Sequence, residues 1–254
     1  MGDGTQLGGG RFPATRWSAV LAARSDDPAE RTRALDFLIA AYWKPVYKYI
    51  RIRWNKPTEE AKDLTQEFFT RLIEKEFLDR YDPARARLRT YLRVCVDGFV
   101  ANEAKAAQRQ KRGGDAIHVP LDFAAAAESE LSRAAPVIRE IASPESLEEF
   151  FEKEWIRNLF SLAVEALREE CERRGKQIQF RLFERYDLDD SAGNRSSYDD
   201  LAREFGIAAT DVTNYLAFAR REFRRIALEK LREMCASDDE FRREARSILG
   251  VDPR

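Results

Sequence analysis

Apolar positions recur at helical spacing along nearly the whole chain, and no stretch alternates with a period of two, so the sequence predicts an all-α fold. A short helix is expected from Trp17 to Arg24. A second starts near Pro28 with Leu35, Leu38, Ile39 and Tyr42 on one side. Pro45 is expected to break or kink it, because proline lacks the amide donor and crowds the preceding turn. A third segment, Val46 to Trp54, ends before Pro57, where proline suits the first turn of the next helix. From Ala61 onward Leu64, Thr65, Phe68 and Leu72 share a face, which leaves Asp63, Gln66, Glu67, Thr70 and Glu74 outward. After the turn at Asp82-Pro83 a long helix begins near Arg87 and aligns Leu88, Tyr91, Leu92, Cys95 and Phe99. It ends in the basic stretch Lys105 to Arg112, before Gly113-Gly114.

Beyond this glycine pair the periodicity lapses. Pro120, Pro136, Pro144 and a run of alanines predict a linker. Helical spacing resumes with Phe150, Trp155, Leu159, Leu162, Ala163 and Leu167, continues over Phe180 to Tyr186, and pauses in a polar loop from Asp187 to Ser196. Tyr198, Leu201, Ala202 and Phe205 then pattern a short helix, Gly206 supplies a turn, Ile207 fills the corner, and Val212, Leu216, Ala219 and Phe223 pattern a longer helix. That order predicts a helix-turn-helix. A last amphipathic helix is expected from Asp238 to Leu249. The expected organisation is an extension with a short helix (1–33), a first helical domain (34–112), a flexible acidic linker (113–149), a second helical domain ending in the helix-turn-helix (150–233) and a carboxy-terminal helix (234–254).

With 254 residues, 44% hydrophobic and 35% charged, the chain can bury two small cores and reads as globular rather than disordered. No apolar run of 18 residues and no signal-peptide pattern occurs, so a cytoplasmic protein without a membrane span is expected. Cys95, Cys171 and Cys235 are widely spaced, with His118 as the one histidine, so neither a disulfide framework nor a metal site can be assembled from them. No cofactor is expected. Without a Gly-rich phosphate loop or a nucleophile–base pattern, no catalytic residue is expected either. The net charge of −1 gives no global attraction to nucleic acid, so charge matters by segment. Residues 115–154 hold ten acidic and three basic side chains, a net of −7, whereas residues 218–232 hold six basic and two acidic ones.

In a helix-turn-helix the first helix braces the second so that its outer face enters a major groove. That face offers Thr213, Asn214, Phe218, Arg221, Arg224 and Arg225. Asparagine suits adenine, and arginine suits guanine or phosphate. A second nucleic-acid candidate is the set Arg85, Arg87, Arg89, Tyr91, Asn102, Lys105, Arg109, Lys111 and Arg112, whose aromatic and basic groups, with Tyr81 nearby, suit unpaired bases and backbone phosphates. An ordinary solvated helix face is the competing reading of each set. Tyr42, Trp43, Tyr47, Tyr49 and Trp54 are expected mainly in the core.

Taken in order, these parts resemble the sigma-70 family of RNA polymerase sigma factors, in its compact extracytoplasmic-function form. Residues 34–112 look like sigma region 2, and the segment Glu60-Ala-Lys-Asp-Leu-Thr-Gln-Glu-Phe-Phe-Thr-Arg-Leu-Ile73 is similar to the family helix that docks on the polymerase clamp coiled coil. The resemblance places Asp63, Gln66, Glu67 and Thr70 at that docking face. It likens Leu88 to Glu103 to the helix that melts and holds the minus-ten element, and 150–231 to region 4, which reads the minus-thirty-five element. The chain departs from the family pattern at Asp97-Gly98, in the length of the loop 187–196 and at Asp211, Thr213 and Asn214. The implied partners are core RNA polymerase (clamp coiled coil and flap), promoter DNA and an anti-sigma factor or other regulator. About 30 residues of linker, at ~3.3 to 3.6 Å each, reach at most ~110 Å, enough for two helical turns of DNA at roughly 70 Å. Read from the residues alone, a helix-turn-helix regulator that works without polymerase and a helical adaptor with no nucleic-acid role stay open.

Overall fold

The computed structural model describes residues 19–74, 77–109, 121, 144–189 and 196–253. Among them every regular element is helical: α1 (Ala19–Ala22), α2 (Pro28–Arg53), α3 (Thr58–Ile73), a 3-10 turn (Leu78–Arg80), α4 (Leu88–Arg109), α5 (Pro144–Arg173), α6 (Gln177–Phe183), a π-helical segment (Glu184–Leu188), α7 (Tyr198–Phe205), α8 (Ala209–Glu233) and α9 (Asp238–Leu249). The all-α expectation holds. Residues 1–18 and most of the expected linker, with His118, lie outside the described residues, as does the tip of the polar loop.

Asp27 caps α2 by accepting the Ala29 amide at 2.9 Å, with Pro28 in the first turn. Contrary to expectation, α2 continues through Pro45 to Arg53. Proline at 45 deprives the Ala41 carbonyl of its helical donor. Asn158 of α5 replaces that donor, its Nδ2 lying 2.7 Å from the Ala41 oxygen and 2.9 Å from that of Ala40. A distant side chain thus removes the cost of the missing amide, and the two expected segments fuse into one helix.

The largest core gathers Tyr42, Tyr47, Tyr49 and Ile50 of α2, Phe68, Phe69 and Leu72 of α3, and Leu88, Leu92, Val96, Phe99 and Val100 of α4. Val96 and Val100 replace Tyr91 and Cys95, which are only half-buried, on the innermost line of α4. The same core takes in Leu147, Phe151, Trp155 and Leu159 of α5, the end of α8 at Leu231, and Phe241 and Ala245 of α9. Helix α5 begins at Pro144, inside the stretch expected to be linker, and its first half is part of the first unit. Tyr42 stacks on Trp155 at 6.3 Å between centroids, and Tyr49 meets Phe151 edge-on at 5.5 Å. The second half of α5 joins another cluster through Ala163, Leu167 and Cys171 with Phe180, Phe183, Ala219 and Ile226. A third, smaller cluster holds Leu182, Leu201, Val212 and Leu216 together.

Two amino-terminal arginines secure the chain between α3 and α4. Arg24 donates to the Leu78 and Tyr81 carbonyls, and Arg31 donates to the Ile73 carbonyl at the end of α3. These bonds satisfy acceptors that a helix or turn end leaves open. Burial raises the thiol pKa values of Cys95, Cys171 and Cys235, and no two of these cysteines are bonded to each other.

Candidate nucleic-acid interface

Helix α3 presents Asp63 to solvent and leaves Gln66 and Glu67 half-buried. Thr70, expected outward, is buried at 6% exposure. The reason is Phe69: with Ala61, Thr65, Phe68 and Leu72 it widens the buried arc of the helix until the arc includes position 70. Glu67 accepts the Arg71 Nε at 3.1 Å, and Arg71 reaches Glu103 of α4 at 2.6 Å while its guanidinium lies 4.8 Å from the centre of the Phe99 ring. This chain of charges ties the face of α3 to α4.

The candidates on and before α4 separate into exposed and committed groups. Arg85, Asn102 and Lys105 are exposed, Arg85 with its Nε 3.6 Å from Asp82. Arg87 is exposed but paired, with its Nε 3.0 Å from Glu244 of α9. Arg89 is buried at 6% exposure, its two terminal nitrogens bound to Glu244 at 2.8 Å and Glu152 of α5 at 2.6 Å, and its guanidinium 4.7 Å from the Trp155 ring centre. The first unit therefore uses Arg89 to hold α5 and α9 together. Tyr91 is half-buried against Tyr81 at 5.2 Å, and its hydroxyl donates to the Phe77 carbonyl. Burial raises its pKa. Tyr81 is itself buried and donates to the Ala86 carbonyl at 3.1 Å. Arg109 ends α4, and its side chain, like Lys111 and Arg112, lies outside the described residues.

Asp97 has a role within the fold. Its two oxygens accept the Tyr49 hydroxyl and the Trp54 Nε1, each at 3.0 Å. The Tyr49 hydroxyl, buried and beside this carboxylate, is pushed up to about 12. An aspartate on α4 thereby orients two aromatic rings of α2 and its cap.

In the second unit Ser197 and Asp200 cap α7 reciprocally: the serine oxygen accepts the Asp200 amide at 3.1 Å, and the Asp200 carboxylate accepts the Ser197 amide at 3.2 Å. Gly206 ends α7 with φ of 65°, in the left-handed region where a Cβ is strained. Leu201, Val212 and Leu216 then fix α8 against α7. Thr213, Asn214, Arg221 and Arg224 are exposed along α8, and Phe218 is half-buried among them. Arg225 is exposed but bonded to Glu222 at 3.1 Å and Glu229 at 2.8 Å. Arg220 makes two 2.8 Å bonds to Asp187, pinning the π-helical segment to α8. Sequence reasoning missed Arg174 and Lys176, which lie beside Phe218; the basic run around Gly175 was the available signal.

Among the described residues no group of His, Cys, Asp or Glu is arranged to hold a metal ion, and no helix is long and apolar enough to cross a membrane. Residues 38–110, which span most of α2, all of α3 and all of α4, match the family described as sigma-70 region 2. The match covers the first long helices of the chain and likens this part of it to sigma-70 region 2. No curated protein and no solved structure matches the chain.

Proposed function

We propose that this chain is a sigma factor of the extracytoplasmic-function type, which binds core RNA polymerase, directs it to promoters and helps open the DNA, while the polymerase performs the catalysis. The observation that carries the reading is the region 2 match over 38–110, with Asp63 exposed and Gln66 and Glu67 half-buried beside it on α3. In this reading those three residues meet the clamp coiled coil, with Thr70 shaping the helix from beneath. Lys105 and Asn102 face the minus-ten DNA. Helices α7 and α8 act as the helix-turn-helix for the minus-thirty-five element, with Thr213, Asn214, Phe218, Arg221 and Arg224 toward it. The flap and an anti-sigma factor are further partners by the same reading.

The test mixes the purified chain with core RNA polymerase and measures complex formation and start-site-specific transcription. Asp63→Lys is the sharper variant, because Asp63 is exposed while Glu67 also serves the fold through Arg71. It is expected to abolish core binding with the melting temperature unchanged. A chain that neither binds core nor initiates would instead fit a polymerase-independent regulator, a reading favoured by the exposed polar face of α8, and such a regulator would bind its duplex site alone.

A further inference from the structure

The charges near α8 are of two kinds. Arg220 and Arg225 are bonded to carboxylates, so their charge is largely cancelled where it stands. The cations around Phe218 are held differently. Arg221 lies 5.6 Å from the ring centre, and two more come from the turn between α5 and α6: Arg174 at 5.5 Å and Lys176 at 4.9 Å. An aromatic face attracts a cation through its quadrupole without neutralising it. The position of Lys176 is thereby fixed while its positive charge remains available. Lys176 makes no ion pair with a described carboxylate, whereas Arg174 is hydrogen-bonded to Glu170 at 3.4 Å and lies 3.7 Å from Glu222, and Arg221 lies 3.6 Å from Glu222.

The turn that presents these cations is itself well held. Gly175 adopts φ of 66°, its amide donates to the Glu172 carbonyl at 3.2 Å, and the Lys176 amide donates to the Cys171 carbonyl at 2.7 Å. Such a helix end fixes its backbone. Phe218 follows Asn214 by one helical turn, and Arg221 continues the same face. Three cations from two elements therefore flank the strip of α8 that offers Asn214.

We infer that Lys176, assisted by Arg174, is a DNA-backbone contact: the turn between α5 and α6 holds a phosphate of duplex DNA beside the groove that α8 enters. The inference rests on reading α8 as the duplex-reading helix. Charge complementarity favours this occupant, since a phosphate strand meets the Lys176 ammonium, held at a fixed position and without an ion-pair partner among the described residues, while the ring supplies an apolar floor.

The experiment measures binding of a random-sequence 25-base-pair duplex by fluorescence anisotropy between 50 and 200 mM salt, for the full chain, free and with core RNA polymerase. Each phosphate contact contributes ~0.9 to the slope of log affinity against log salt. Lys176→Gln is expected to lower the slope by ~0.9 and the double variant Arg174→Gln/Lys176→Gln by up to ~1.8, whereas Lys176→Arg retains it. Arg168→Gln, on an exposed part of α5 and paired with Glu165 and Glu172, serves as the control. If Lys176→Gln binds with the slope of the parent while Arg221→Ala weakens binding, the inference is wrong and the reading of α8 stands. If the parent binds no duplex in either form, or Asn214→Ala and Arg221→Ala are both silent, the reading of α8 falls and the inference with it. A Lys176→Gln variant that loses affinity equally at every salt concentration also overturns the inference, since it indicates a packing role.

Discussion

In the first unit Arg89 lies buried between Glu152, Glu244 and the Trp155 ring, whereas in the second unit Arg221 and Arg224 stand exposed on α8. In sequence these arginines look alike: each sits near aromatic residues on a basic amphipathic helix. The difference lies in what faces them. A core with Tyr42, Phe151 and Trp155 is deep enough to enclose an ion pair, while the small clusters under α8 leave its outer side in water. An arginine's chemistry makes it a candidate for phosphate; burial and a facing carboxylate decide whether it serves the fold instead.

The comparison can be tested from its strongest contact downward. Trp155→Ala removes a fully enclosed ring that stacks on Tyr42 and lies under Arg89, and is expected to cost ~3–5 kcal/mol in chemical denaturation. A cost below about 1 kcal/mol would mean that α5 is only loosely joined to the first core. Glu244→Ala, at a site 1% exposed, leaves Arg87 and Arg89 short of a partner, and a loss of about 3 kcal/mol is expected. A double-mutant cycle with Arg89→Met checks it, since the two losses should not add.

Ser197→Ala tests the second unit, where an exposed capping box starts α7; the expected loss is ~1 kcal/mol, read as a fall in thermal midpoint. A result as large as that for Glu244 would erase the contrast between the units. The smallest effect concerns pH. Burial raises the Glu240 carboxyl above its ordinary value, with Glu244 adding to the effect and the Ala236 amide opposing it. The folded state therefore holds this proton more tightly than the unfolded chain does. Its contribution to stability is fully present below the unfolded value, ~4.3, and is lost as pH rises through the folded one. Glu240→Gln should melt slightly higher than the parent near neutrality and converge with it below about pH 4.

Much of the second unit was legible because its signals are local. Ser197, Gly206 and the spacing of Leu201, Val212 and Leu216 lie within a few turns of one another, and the helices formed where that pattern put them. The misplacements came from long-range contacts. Arg89 finds Glu152 and Glu244 at separations of 63 and 155 residues, and Pro45 is tolerated because Asn158 lies more than a hundred residues downstream. Neither periodicity nor propensity encodes such meetings. Thr70 was a narrower miss: the buried arc of α3 is wider than the i, i+4, i+7 stripe suggested, because Phe69 is inside as well as Phe68. The aromatic core of α2 was legible from residue type alone, since Tyr42, Trp43, Tyr47 and Tyr49 are all buried.

Helix α5, 30 residues long, measures ~45 Å at ~1.5 Å per residue. One end is set in the core of the first unit and the other in the second. Mechanically it is a lever with both ends clamped. A tilt of ~10° at one end would carry the other through ~8 Å over that length. With α5 intact and seated, the units turn as one body. To part, they must lift Trp155 off Tyr42 or unwind the helix near its middle, so the distance between the faces of α4 and α8 is governed by a stiff beam before it is governed by a tether.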